Sequence, residues 1–118
     1  MRLSRFVSVL ASIVAGCSSQ ALADNYGAIA FSNSSGAWGT SHDYGSRRSA
    51  EQSALNRCGA GCSVVLWFRN ACGALATTQN HAYGTGWATD LGDAQNIALS
   101  GCRPYGSCGI TAWACTTR

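Results

Sequence analysis

The sequence has no lysine, a single proline and few charged residues of either sign. Only 11% of its 118 residues are charged. Beyond residue 23, six arginines stand against five acidic residues, and they form no basic stripe of the kind by which proteins bind nucleic acid. The apolar run at 6–16 is far shorter than the roughly 20 residues that a membrane-spanning helix needs. We therefore expect neither a nucleic-acid-binding protein nor a permanent transmembrane anchor.

The first 23 residues are expected to form an export signal, because a basic start, "MRLSR", precedes the apolar run and two processing signals follow it. The small residues "ALA" at 21–23 favour cleavage that leaves Asp24 as the first mature residue. Alternatively, "VAGC" at 14–17 resembles a bacterial lipobox, in which Cys17 is lipidated and becomes the N-terminus. Both readings predict an exported protein, either a periplasmic or outer-membrane lipoprotein or a secreted domain.

Seven cysteines fit an exported protein. Without Cys17 an even set of six is left, which in a small exported domain indicates three disulfides formed in an oxidising compartment. Zinc is the alternative, but the five residues between the fourth and fifth of these cysteines are too many for a usual knuckle. We therefore expect no metal and no cofactor. The six cysteines are Cys58, Cys62, Cys72, Cys102, Cys108 and Cys115.

The second half of the chain repeats the first. "GAIAFS" from Gly27 matches "GALATT" from Gly73, and "AEQSALNRC" from Ala50 matches "AQNIALSGC" from Ala94. "DYG" and "DLG" match as well, and in each half a tryptophan follows a cysteine by five residues. The sequence therefore predicts an internal duplication within one domain, 24–118, with repeats at about 26–72 and 73–115.

Each repeat predicts one helix between strands. Ala50, Ala54 and Cys58 lie on one face of a helix, with Ser49 as its N-cap, and Asp93 is the predicted N-cap of the second helix. "YGAIAFS", "CSVVLWF" and their counterparts are typical of strands. The predicted fold class is α+β, an antiparallel sheet of four to six strands with two helices on one face and a pseudo-twofold axis.

The repeat also favours one disulfide pattern. Six cysteines allow 15 pairings. Symmetry favours Cys58–Cys62 and Cys102–Cys108 within the repeats, with Cys72–Cys115 between them.

The stretches "YGAIAFS", "AEQSALNRC" and "CSVVLWFRNACGALA" together resemble the exported bacterial domain of unknown function 4189. The resemblance covers about residues 26–115. It implies a small, secreted or envelope-located, disulfide-bonded domain. It implies no particular reaction and no catalytic residues.

The candidate catalytic residues are two histidines and two aspartates. Ser41, His42 and Asp43 are the residue types of a hydrolytic triad, but the side chains of neighbouring strand residues point apart. We therefore do not expect these three neighbours to form a relay, and we consider Asp90 and Asp93 as partners of His42 across the fold. His81 is expected in a loop. The candidates are His42, Asp43, His81 and Asp90.

The candidate binding residues are aromatic or cationic. Trp38 and Trp87 are expected in glycine-rich loops, where an exposed tryptophan favours an interface. The alignment of the repeats places Arg47 and Arg48 in an insertion, "SRR", that has no counterpart in the second repeat, and both residues suit an anionic partner. Trp67 and Trp113, which match each other between the repeats, are expected in the core.

These observations favour an exported, non-enzymatic interaction domain that binds a protein or an envelope component. The alternative is a small secreted hydrolase acting on cell-wall or host material, with His42 and an aspartate as its acid–base pair. Contact with a membrane is expected only through a lipid on Cys17.

Overall fold

A computed structural model describes residues 24–118, and the predicted export signal and Cys17 lie outside the described residues. Within residues 24–118, six strands, two α-helices and one 3₁₀ turn follow one another. They are β1 Tyr26–Phe31, β2 Trp38–Tyr44, α1 Arg47–Cys58, β3 Ser63–Arg69, β4 Cys72–Thr77, β5 Tyr83–Ala88, α2 Leu91–Cys102, the 3₁₀ turn Arg103–Tyr105, and β6 Gly109–Cys115. Among these residues, neither helix is long and apolar enough to cross a membrane.

The strands form two antiparallel sheets of three, in the orders β2-β1-β3 and β5-β4-β6. The α+β class is confirmed, but the prediction of one sheet with both helices on one face is wrong. Each sheet carries one helix on its outer face and packs against the other sheet through its inner face. The layers are therefore α1, first sheet, second sheet, α2.

The alternation of side chains along the central strands explains this arrangement. In β1, Ala28 and Ala30 pack against Ala50 and Ala54 of α1, whereas Ile29 belongs to the core between the sheets. The same alternation in β4 directs its alanines towards α2 and Leu75 towards the other sheet. Because both faces of each central strand are apolar, each sheet must be covered on both sides.

The helices begin earlier than predicted. Ser46, not Ser49, is the N-cap of α1, and its side chain accepts a hydrogen bond from the Ser49 N–H. Asp90, not Asp93, is the N-cap of α2, and it accepts from the Asp93 N–H. The alanine stripe identified the helices, but it begins only at Ala50 and Ala94, four residues after each N-cap.

The helices approach the sheets closely, as the alanine stripes predict. A Cβ on Gly39 of β2 would lie 2.5 Å from the Ala54 carbonyl oxygen, and one on Gly84 of β5 would lie 2.5 Å from the Ala98 carbonyl oxygen. Only glycine fits where a helix backbone lies directly on a strand.

Phe68 fills the centre of the core between the sheets. It is 2% exposed, and its ring lies over Gly27 of β1 and Gly73 of β4, where any Cβ would collide with it. Gly27 pairs with Phe68, and Gly73 pairs with Ala114. One large ring from the first sheet therefore occupies the space left by an alanine in the second.

Three disulfides join the pairs that symmetry favoured, Cys58–Cys62, Cys102–Cys108 and Cys72–Cys115. The first two close the segment after each helix. Because Cys72 begins β4, the third lies between β4 and β6 of the second sheet and not between the two halves. All six cysteines of the described residues are paired, which indicates an oxidising environment outside the cytoplasm.

Both halves have the element order β-β-α-β and the same sheet order. Their ladders also share an irregularity, since the register shifts between Ile29 and Ala30 in the first sheet and between Leu75 and Ala76 in the second. Descent of both halves from one duplicated unit stays a prediction.

Candidate functional site

His42 and Asp43 are in contact, contrary to our expectation. His42 Nδ1 lies 3.1 Å from Asp43 Oδ2. The side chains meet because Asp43 has a φ of 64°, at a bulge where β2 has one more residue than β1. The expectation assumed regular strand alternation, and the left-handed backbone of Asp43 removes that alternation.

The Asp43 carboxylate also binds the segment that follows β6 through hydrogen bonds. Its Oδ1 accepts hydrogen bonds from the Thr117 N–H at 2.8 Å, from Thr117 Oγ1 at 3.2 Å and from Asn25 Nδ2 at 3.1 Å. The Thr117 N–H in particular lowers the pKa of Asp43 from its ordinary value of 3.8. The carboxylate is therefore a structural acceptor.

The other histidine and aspartate candidates lie elsewhere. Asp90 caps α2 and is not joined to His42 by any hydrogen bond of the described residues. His81 is in the β4–β5 hairpin, as expected, with a φ of 67°, and its ring lies over Gly36 of the β1–β2 hairpin. The Ser41 hydroxyl is buried and donates to the Ala50 carbonyl at 2.6 Å. Ser41 is therefore not a partner of His42.

All four tryptophans are exposed. Trp113 is 52% exposed and Trp67 is 38% exposed, so the prediction that they lie in the core is wrong. Trp67 pairs with Ala28 and Trp113 with Ala74, and both alanines face a helix. Each tryptophan is on the outer face of an edge strand, beside the helix and not beneath it.

Trp38 and Trp87 are exposed, but both belong to strands and not to loops. Trp38 begins β2 at the hairpin end and pairs with Phe31. Trp87 is in β5 and pairs with Gly73, whose face is turned towards Phe68 and the other sheet. At 57% exposed, Trp87 is the most exposed of the four tryptophans.

Arg47 and Arg48 begin helix α1, and both are exposed. The Arg47 guanidinium lies 4.5 Å from the centre of the Trp67 ring, and its Nε donates to Glu51 Oε2 at 3.0 Å. This cation–π contact holds the exposed Trp67 ring against the start of the helix. The two arginines are not an insertion, because Ser46 and Asp90 cap the two helices in the same way and Leu91 follows Asp90 as Arg47 follows Ser46.

A groove of about 460 Å³ runs along the free side of β3 beside β5. Trp87 of β5 forms one wall, and the β3 segment 65–69 forms the other. We call this region the open edge. Its lining residues are Val65, Leu66, Trp67, Phe68, Arg69 and Trp87.

On the opposite side of the sandwich, β6 contacts β2. There the Thr117 bonds to Asp43 join the end of β6 to β2, and Cys72–Cys115 joins β6 to β4. We call this region, formed by β6, residues 116–117, His42 and Asp43, the closed edge.

The two edges occupy matching ladder positions. Leu66 pairs with Ile29 at the open edge, and Ala112 pairs with Leu75 at the closed edge. Likewise, the pair Tyr26–Arg69 corresponds to the disulfide pair Cys72–Cys115. Sequence reasoning missed Leu66 and Arg69 as surface residues, although the asymmetry between "VLWFR" and "TAWAC" was visible in the repeat.

The chain is similar to mycobacterial proteins. The family model described as "Domain of unknown function (DUF4189)" matches residues 26–115. Protein Rv1269c from Mycobacterium tuberculosis and Protein Mb1300c from Mycobacterium bovis are each 42% identical over 93 residues, 79% of this chain and 71% of the relative. Among solved structures, the NMR structure of Rv1813c from Mycobacterium tuberculosis is similar, with 32% identity and a TM-score of 0.61, covering 77% of this chain and 74% of that one.

Proposed function

The chain belongs to the domain of unknown function 4189 family, and we propose that it is an exported interaction domain whose open edge binds an extended, apolar segment of a partner protein. The observation that carries this proposal is the groove between Trp87 and β3. Exposed tryptophans beside a concave apolar surface are typical of binding hot spots.

The backbone of β3 supports recognition of an extended segment. β3 is an edge strand of seven residues, "SVVLWFR", and its only charged residue is at its end. Proteins usually protect such an edge with lysine, proline or a covering element, because its outward N–H and C=O groups can pair with another strand. At β2, by contrast, Arg57 donates to the Thr40 carbonyl at 2.9 Å. We infer that β3 receives a partner strand, with main-chain bonds supplying affinity and the groove supplying selectivity.

The charges around the groove support an uncharged segment. Arg69 lies 3.6 Å from the Asp24 carboxylate, and Arg47 is bonded to Glu51. Each arginine beside the groove already has an acidic partner, so the groove offers little net charge. An apolar side chain that inserts beside Trp87 and Leu66 therefore fits better than an acidic one.

The scaffold supports the idea that function lies in the difference between the halves. We infer that the two halves are copies of one duplicated unit and that the residues which differ between their edges carry the binding role. The predicted export signal gives the domain access to periplasmic, envelope or external partners, and a lipid on Cys17 would hold it at a membrane. Trp38 and Arg48 lie outside the open edge and are not part of the proposed site.

The test is selection of peptides from a random display library on the mature domain, residues 24–118, with its disulfides intact. Replacing Trp87 by alanine should weaken the selected peptides about thirtyfold, the effect of losing roughly 2 kcal/mol at a hot spot. The matched control is Trp113→Ala, which removes a tryptophan on β6 that is 52% exposed, against 57% for Trp87. Peptides that bind the Trp87→Ala variant as tightly as the wild type would contradict the proposal.

One observation favours the hydrolase as a second candidate. The contact of His42 with Asp43 leaves His42 Nε2 directed away from the carboxylate, the arrangement of a general base. If the domain hydrolyses peptidoglycan or a protein substrate, His42→Ala should abolish that activity while Trp87→Ala preserves it. Equal activity of the His42→Ala variant and the wild type would exclude this role.

A further inference from the structure

Two polar grooves lie on either side of Tyr105, away from the open edge. The first, of about 530 Å³, lies between the β4–β5 hairpin and the Cys102–Cys108 segment. The second, of about 420 Å³, continues towards Asn33, His81 and Tyr83. Tyr105 lines both grooves. Together they form a surface that the proposed protein-binding function does not use.

The Tyr105 ring is presented by a constrained turn. It is 65% exposed and ends the 3₁₀ turn Arg103–Tyr105, in which Pro104 fixes the backbone. The Cys102–Cys108 disulfide closes this segment, and the Gly106 N–H donates to the Arg103 carbonyl at 3.1 Å. The corresponding segment of the first half, closed by Cys58–Cys62, is two residues shorter and has no aromatic residue. The second half alone therefore displays a rigid aromatic ring here.

The side chains around the ring are polar and without formal charge. The two grooves are lined by no Asp, Glu, Lys or Arg in the described part of the chain, and their only titratable side chains are those of His81 and the two tyrosines, Tyr83 and Tyr105. No hydrogen bond of the described residues uses the side chains of Gln79, Asn80 or Ser107, so their donors and acceptors face solvent.

This chemistry favours a neutral ligand that both donates and accepts hydrogen bonds. An anion would find no cation here, a cation would find no carboxylate, and a purely apolar ligand would leave amides unpaired. A sugar has hydroxyls that both donate and accept, and its C–H face packs flat on an aromatic ring. We propose that the grooves around Tyr105 bind a neutral saccharide of two or more sugar units, with one ring on each side of Tyr105.

The test uses the mature oxidised domain and soluble neutral oligosaccharides: cellotriose, maltotriose, mannotriose and triacetylchitotriose. Titration at millimolar concentrations, followed by amide NMR shifts, should move the signals of Asn80, Tyr105 and Gly106 with at least one of these probes. Replacing Tyr105 by alanine should weaken that binding about tenfold. Replacement by phenylalanine, which keeps the ring, should preserve it.

Two controls separate this site from the open edge. Trp87→Ala should leave saccharide binding unchanged, and Tyr105→Ala should leave peptide binding unchanged, so that either proposal can fail alone. The saccharide proposal is overturned if none of the probes moves these signals, or if Tyr105→Ala binds them as well as the wild type.

Discussion

The open and closed edges occupy the same ladder positions in two sheets, but they are secured differently. The end of β3 has polar contacts with residues 24–25, whereas the closed edge has a disulfide and a hydrogen bond between the two sheets. At the closed edge, Cys72–Cys115 links the strands and Asp43 holds the segment after β6. At the open edge, the corresponding pair is Tyr26 and Arg69, and Trp87 leaves a groove beside β3. Because β3 and β6 are both edge strands, the feature that distinguishes the open edge is the groove between β3 and Trp87.

The inward side chains of the open edge are also larger than those of the closed edge. Phe68 and Leu66 belong to the open edge. The matching ladder positions of the closed edge are occupied by Ala114 and Ala112. The small residues let β6 lie close to the neighbouring sheet, and both are at most 5% exposed. Leu66 is only partly buried and provides apolar surface for the groove. The two edges therefore differ in the volume of their inward side chains as well as in their cross-links.

The largest effect is expected from removing the disulfide of the closed edge. Cys72 and Cys115 are separated by 43 residues, and loop-closure entropy for that separation gives a loss of about 4 kcal/mol in unfolding free energy for the double alanine variant. Removal of Cys58–Cys62, with a separation of 4, should cost only about 2 kcal/mol. Denaturant unfolding of both variants measures the difference. Equal losses would mean that the long disulfide does not secure the closed edge as described.

A smaller loss is expected from Asp43→Ala. Alanine at a φ of 64° is strained, and Thr117 loses its acceptor, so the variant should unfold about 1–2 kcal/mol more easily. Asp43→Asn is the matched control, because asparagine tolerates the left-handed conformation and keeps an acceptor oxygen. The account of the closed edge fails if the alanine and asparagine variants are equally stable and match the wild type.

The smallest effect is expected on the loss of stability at acidic pH. The folded pKa of Asp43 lies below its ordinary value of 3.8, so its contribution is fully present above that value and is lost as the pH falls through the folded pKa. Between about pH 5 and about pH 2, the wild type should lose more thermal stability than Asp43→Asn. The difference will be modest because the side chain is partly exposed. If the thermal stability of the two proteins depends on pH in the same way, the Asp43 carboxylate does not stabilise the closed edge as described.

Local patterns predicted much of this fold. The alanine period found both helices, and the β-branched and aromatic runs found β3 and β6. Stretches of small residues found β1 and β4, and the repeat favoured the correct disulfides. Division into two sheets was missed because an apolar strand with alanines on one side is compatible with either one or two covered faces. The burial of Trp67 and Trp113 was wrong because sequence does not reveal which strands lie at an edge.

The surface features were harder to predict for a different reason. The contact between His42 and Asp43 depends on a single left-handed residue, and no local pattern in "SHDYG" specifies it. Tyr105 lies between two cysteines and has no counterpart in the first repeat. Comparison of the two cysteine spacings could have identified it. Both proposed binding surfaces lie where the halves differ, whereas the alignment of the repeats shows only where the halves are alike.

The central claim is that β3 receives a partner strand, and amide hydrogen exchange tests it most directly. The mature domain would be measured by NMR with and without a saturating peptide from the display selection. We predict slower exchange of alternate amides in β3, by about tenfold or more, with β6 unchanged. Unchanged exchange throughout β3, or protection confined to β6 or to the Tyr105 grooves, would contradict the account.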